Sequence, residues 1–196
     1  MEPLQLQVPP GALVLAVVAS EYLRQVGASS FLALPQEETE RLFASLEVHR
    51  LCRAEAERDP RLTVLETCTL IHKNQSWLIE AKSADAGPKV WGVRQVMTAE
   101  SEQPLFLDDD WQSNARRAVA SAIDPHATGP SACEYRLAGL LSRQRVTLVC
   151  VARLRQSPAH RVHLGERLWL GQQELLDATA SFDDDSRLLI AHSAAF

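Results

Sequence analysis

Apolar runs and polar breaks alternate along the chain so as to lay out strands and helices in turn. The run ALVLAVVA (residues 12–19) follows a polar leader bearing Pro9 and Pro10. It is short, continuous and partly β-branched, which predicts a buried strand. Ser20 is placed to cap a turn through residues 21–23. Pro35 then opens a segment in which Leu42, Phe43, Leu46 and residues 48–51 recur at helical spacing. Its acidic residues gather at the start, where the helix dipole favours them.

A charged connector, RAEAERDPR, closes on Asp59-Pro60. Residues 64–72 and 77–81 read as two strands, and Lys73-Asn74-Gln75-Ser76 reads as the hairpin turn between them. A third strand over 90–97 precedes a polar, acidic loop over 98–110. A helix over 111–123 comes next, with positions 111, 115, 118, 119, 122 and 123 on one apolar face. Asp124-Pro125 and Gly129-Pro130 end it. Strands follow over 134–141, 146–154 and 167–170. A short helix at Leu175 and Leu176 precedes a final helix over 186–192, capped from Asp183, Asp184 and Asp185. Strands mixed with two or three helices predict an α/β layered fold.

With 196 residues and 46% hydrophobic content, the chain can bury one substantial core. A net charge of -5 and a pI near 5.7 argue against non-specific binding to nucleic acid or to an anionic membrane, both of which need a basic excess. The paired arginines are scattered and form no basic patch. The apolar run near the start is too short to span a bilayer and lacks a basic leader. Cysteines 52, 68, 133 and 150 show no C-x-x-C spacing, so a zinc or thioredoxin-like site is not indicated. Together these features predict a cytoplasmic protein with reduced thiols.

Several segments carry a family resemblance. Arg53, Glu55, Ala56, Glu57, Asp59 and Pro60 form an R-x-E-A-E-x-D-P lead-in, followed by WLIEAKS, Gly92, a helix bearing Asn114, Ala115, Arg117 and Val119, and Gly139-Leu140-Leu141. In order and spacing this resembles one bacterial group of the Nudix hydrolase superfamily. The resemblance implies a Nudix-like α/β/α sandwich with a mixed β-sheet over residues 59–196. A strand-helix extension over residues 1–58 would pack on that core. It also implies an R-E-U-x-E-E run on the helix, with U aliphatic, whose glutamates hold magnesium. Here the box is degenerate. Arg117 and Val119 remain, but Ala118, Ser121 and Ala122 stand at the glutamate places. Arg94 and Gln95 stand where paired glycines would let backbone approach a phosphate. Magnesium needs hard oxygen ligands, which two alanines and a serine do not supply.

Positions 118, 121 and 122 have the i, i+3, i+4 spacing that would converge ligands on one face. Here that face reads as small and apolar, packing on a neighbouring layer. Arg117 is expected to pair with Glu134 or a loop aspartate, or to lie in solvent. Relocated acids would have to come from Glu100, Glu102, Asp108, Asp109 or Asp110. The last three fit better as a cap for the helix at Trp111. His160 and His163 lack a third ligand, and Cys133 lacks a histidine partner in any nucleophile motif. The four tryptophans read as core or interface anchors.

The sequence therefore predicts a homodimeric Nudix-fold protein that has lost hydrolysis and works by binding, with a nucleotide-like ligand in view, or by self-association. No cofactor is expected. One alternative is a Mg2+- or Mn2+-dependent hydrolase of a nucleoside diphosphate-linked substrate using the relocated acids. The other is a purely structural dimerisation module.

Overall fold

The computed structural model describes residues 11–26, 30–80, 88–98, 107–123, 132–142, 145–155 and 167–196. In chain order the elements are β1 (Leu13–Val18), α1 (Ala19–Val26), β2 (Ser30–Ala33), α2 (Gln36–Ala44), β3 (Val48–Cys52) and α3 (Arg53–Ala56). Then come β4 (Leu62–Lys73), β5 (Ser76–Glu80), β6 (Val90–Trp91), β7 (Val93–Val96) and α4 (Leu107–Ala122). The chain closes with β8 (Cys133–Ser142), β9 (Val146–Leu154), β10 (Arg167–Gly171), α5 (Gln172–Asp177) and α6 (Asp184–Ala191).

The sheet runs β10-β5-β4-β9-β8-β2. β4 and β9 are parallel and the other pairs antiparallel, so the sheet is mixed. β4 is long enough to serve two groups of partners. Its first residues take β1, which also pairs with β3, and further along it takes β7 on one side and β9 on the other. β1 and β2, from the N-terminal stretch, thus sit in the sheet at β4 and β8.

Burial on both faces explains the near-continuous apolar run of β9. Leu65, Leu148, Cys150 and Leu137 face one layer with Trp111 and Ala115 of α4. Cys68, Leu70, Val149 and Val151 face the other with Leu175 of α5 and Leu189 and Ile190 of α6. This gives helices on either side of one sheet, the expected α/β/α sandwich.

The β4–β5 hairpin falls where the turn residues place it. Asn74 and Gln75 have φ of 46° and 66°, and Lys73 pairs with Ser76. A two-residue turn with both central residues at positive φ matches the twist of the flanking strands.

Several local expectations change. Ser20 lies inside α1, which begins at Ala19, and so does not cap the turn that follows it. The helical spacing that began at Pro35 stops at Ala44, and Val48–Cys52 is strand β3. Leu46 is buried in the core with Leu42 and Phe43, so their spacing is real. Beyond it, β1 needs a hydrogen-bonding neighbour, and β3 supplies one in register from Leu13↔Cys52 to Val17↔Val48. The strand expected over 90–97 breaks at Gly92 into β6 and β7. Finally, α4 starts at Leu107, so Asp108, Asp109 and Asp110 lie inside its first turn instead of capping it.

Burial also sets the chemistry of the thiols. It pushes the Cys68 and Cys133 thiols up to about 11 and raises Cys150 well above its ordinary range. Cys52 is the one partly exposed cysteine. At about pH 8 an aromatic disulfide reagent should therefore titrate one thiol rapidly in the folded protein, and all four cysteines in denaturant. A second fast thiol before unfolding would contradict this burial pattern.

Candidate functional site

The places that the resemblance assigns to metal ligands are turned to other uses. Ala118 and Ala122 are 0% exposed. Ala122 belongs to a buried apolar cluster with Ile71, Leu78, Cys133, Ala152 and Leu154. Ser121 is exposed, and its Oγ donates back to the carbonyl of Ala118 at 2.9 Å. The three positions share a flank of the helix, but the buried arc takes 118 and 122 and leaves 121 outside. Arg117 finds a partner that the sequence did not suggest: its guanidinium donates to Oδ1 of Asn114. Asn114 is buried, and its Nδ2 donates to the Val96 carbonyl at 3.3 Å, which ties α4 to β7.

The two residues at the glycine places leave the sheet in opposite directions. Arg94 turns toward α6, where Nη1 meets Oδ2 of Asp185 at 2.6 Å. Burial works against its charge, yet the surrounding groups, Asp185 and Asp183 among them, hold it above the ordinary guanidinium range. Gln95 is buried opposite Thr67, and among the described residues neither polar atom of its side chain has a partner. Side chains therefore fill the space that a glycine pair would leave open.

A slot remains beside the last turn of α4. β5 diverges from β4 after the hairpin, and β6 and β7 wedge into the gap, with the chain kinked at Gly92 (φ +97°). Ile71, Leu78 and Val93 form apolar walls, and Thr69, Glu80 and Arg167 bring polar groups. Thr69 is 0% exposed, and among the described residues its hydroxyl has no partner. Arg167 reaches from β10 to the helix, where Nη1 donates to the carbonyls of Ser121 at 3.2 Å and Ala122 at 3.0 Å. A cation against the negative end of the helix dipole is favourable. Replacing Arg167 with Met keeps the aliphatic stem but removes two charge-assisted hydrogen bonds. It should cost about 1–2 kcal/mol and speed amide exchange in the final turn of α4. Arg167→Lys should fall between wild type and Met, since an ammonium gives a point charge in place of a planar fork. Equal melting curves for wild type and Arg167→Met would refute the tether.

The other acids are elsewhere. Glu100 and Glu102 lie outside the described residues, as do His160 and His163. Asp108, Asp109 and Asp110 occupy the far end of α4, about 16–20 Å along the helix axis from Ser121. Asp183 caps α6 by accepting from the Ser186 amide at 2.8 Å, while Asp184 pairs with Arg187. Glu66 is buried and held by Arg145. Among the described residues, no group of three or more His, Cys, Asp or Glu is arranged to hold a metal ion. Trp77 and Trp91 stack edge to face in the α6 layer with centroids 5.2 Å apart, and Trp111 is buried under α4.

Nothing in the sequence joins Thr69, Glu80 and Arg167. They lie on three different strands, and only the sheet order brings β10 beside β5. The charged ends of WLIE and RLWLG are the sole signal, and they read equally well as strand termini.

In sequence, no family model and no curated protein matches the chain. Solved structures do resemble it. Tm1382, provisionally described as a Nudix hydrolase, superposes with a TM-score of 0.68 at 13% identity, over 92% of this chain and 97% of that one. DR0079 from Deinococcus radiodurans gives 0.48 at 18% identity, over 83% and 98% of the two chains. The E. coli dihydroneopterin triphosphate pyrophosphohydrolase gives 0.42 at 10% identity, over 66% and 92%. The likeness to Tm1382 establishes the architecture, which is the Nudix α/β/α sandwich.

Proposed function

We propose that this chain is a Nudix-fold protein without pyrophosphate hydrolysis, acting by binding or by self-association. One observation carries the reading: Ala118 and Ala122 have no exposed surface, with an apolar cluster closed over Ala122. The fold family implies a divalent cation at this helix, and the residues present do not fit one. Two buried methyl groups and a serine hydroxyl bonded to its own helix offer no hard oxygen ligands. The relocated-acid alternative draws no support from Asp108, Asp109 and Asp110, which sit about three turns from Ser121. Among the described residues, no helix is long and apolar enough to cross a membrane.

The test is incubation of the purified protein with magnesium or manganese and a panel of nucleoside diphosphate derivatives. The expected result is no metal-stimulated turnover above a blank. Turnover that a chelator abolishes, and that copurifies with the folded protein, would end this reading. Light scattering tests the self-association arm, with a dimer as the expected mass; a monomer at working concentration would leave binding as the surviving half of the proposal.

A further inference from the structure

β10 ends the sheet on an open edge. Among the described residues it pairs with β5 alone. Its register with β5 runs without a shift, and the strand carries neither proline nor lysine. Leu168, Trp169 and Leu170 are each partly exposed. The single charge, on Arg167, is folded back to the carbonyls at the end of α4. Edge strands ordinarily carry a charge, a proline or a bulge that blocks pairing with another chain, and the centre of β10 has none of these.

The hairpin fixes which backbone groups of β10 face outward. Lys73 and Ser76 close the two-residue β4–β5 turn as a hydrogen-bonded pair, so Ser76 directs its N–H and C=O to β4. Backbone direction alternates along a strand. Trp77 and Ile79 therefore point at β10, where Leu170 and Leu168 oppose them. It follows that the N–H and C=O groups of Arg167, Trp169 and Gly171 point away from β5. Glu174 fits this phase, since its Oε2 accepts from the Gly171 N–H at 2.7 Å. As the N-cap of α5, Gly171 also turns its carbonyl into the helix. The outward ladder is thus closed at Gly171 and open at Arg167 and Trp169.

These open groups match a second copy of themselves. With a two-fold axis through Leu168, antiparallel pairing sets Arg167 opposite Trp169 of the second copy, and Trp169 opposite Arg167. Every outward N–H and C=O of the two residues then finds a partner. Arg167 and Trp169 share the α4 face of the sheet, so this register brings each guanidinium beside an indole, a favourable contact of a cation with an aromatic ring. No like charges oppose each other. Leu168 meets its own copy at a non-hydrogen-bonded position, where side chains lie closest.

We infer that β10 is the self-association edge, with two copies of this chain continuing one antiparallel sheet about Leu168. This deepens the self-association reading above and rests on it. The test begins with amide exchange of the full wild-type chain over a dilution series. The Arg167 and Trp169 amides should be protected at dimer concentrations and exchange faster on dilution, while Leu168 and Leu170 stay protected by β5. Leu168→Lys and Leu168→Glu each set like charges across the axis and should weaken the dimer about tenfold or more. Mixed in equal amounts, the two variants should recover a dimer that native mass spectrometry reads as one copy of each. That recovery separates a lost interface from a lost fold. Dilution that leaves Arg167 and Trp169 exchange unchanged, wild-type dimerisation in either variant, or a mixture of folded variants that stays monomeric would each overturn the inference. A wild-type dimer indifferent to both substitutions would overturn the β10 edge and leave self-association standing. A monomeric wild type would remove both, so the two failures are distinguishable.

Discussion

Restoring carboxylates at the two buried box positions, in an Ala118→Glu/Ala122→Glu variant, should unfold the protein and yield no hydrolase. Both methyl groups are fully enclosed, the side chains clustered with Ala122 are apolar apart from the Cys133 thiol, and the Arg167 guanidinium beside it is engaged by the carbonyls of Ser121 and Ala122. Each substitution forces a longer side chain into a packed layer, a strain of about 1–3 kcal/mol. Each also strands a carboxylate out of water, at a cost of several kcal/mol whether it stays ionised or takes up a proton. Two such sites together match or exceed the ~5–15 kcal/mol that holds a typical domain folded. The near-UV signal of Trp111, buried in the same helix, should collapse, and magnesium should bring no recovery. Ser121→Glu is the control. It sits in solvent on the same helix, so its effect should stay within roughly 0.5 kcal/mol, slightly unfavourable so near the helix C-terminus. A double variant that melts within a few degrees of wild type and binds manganese would mean that the helix face is open after all.

That contrast between buried alanines and an exposed serine shows where sequence reading succeeds. The burial of positions 111, 115, 118, 119 and 122 follows from periodicity, since a 3.6-residue repeat of apolar residues has one way to face a sheet. The central strand β9 is legible for a related reason, as a near-continuous apolar run is what burial on both faces requires, and β4 is legible from its threonine and branched apolar content. The hairpin at Asn74 is legible because few residues adopt the backbone that it needs. What stays hidden is non-local. Val48 and Leu51 continue a helical spacing that Leu42, Phe43 and Leu46 genuinely use, and only the demand of β1 for a neighbour makes a strand of them. The slot draws Thr69, Glu80 and Arg167 from three strands whose adjacency no local pattern encodes. Gln95 reads as an ordinary strand residue, and its two unpartnered polar atoms become visible only when α4 is laid over it.

The glycines offer the sharpest test of these packing arguments, because two with positive φ should respond differently to the same added methyl group. A Cβ at Gly139 would lie 2.2 Å from the carbonyl oxygen of Leu32 and 2.9 Å from Cζ of Phe31. The first of these is backbone of β2, which β8 holds in register from Ser30↔Ser142 to Ala33↔Gly139. Gly139 also marks the register shift that lets Leu137 and Leu140 face α4 while Ala138 and Leu141 face α6. Relief of the clash therefore means parting β2 from β8 or losing the bulge. With strain at φ +150° added, Gly139→Ala should cost about 3–5 kcal/mol, lowering the melting temperature by roughly 10 °C. At Gly92 the new methyl group would meet Cys68 Sγ at 2.5 Å and Leu70 Cδ2 at 2.9 Å, both ends of side chains. Gly92→Ala should thus cost less, about 1–3 kcal/mol. Adding Cys68→Ala should recover part of that loss, because it removes the atom in the way. The coupling would appear in urea unfolding as a double-mutant cycle that fails to add. No such local rescue exists for Gly139, since its obstacle is a main-chain carbonyl. If the two glycine variants prove equally stable, or Cys68→Ala rescues neither, then the tight approach of β2 to β8 and of Cys68 to the β6–β7 kink is not what these glycines are for.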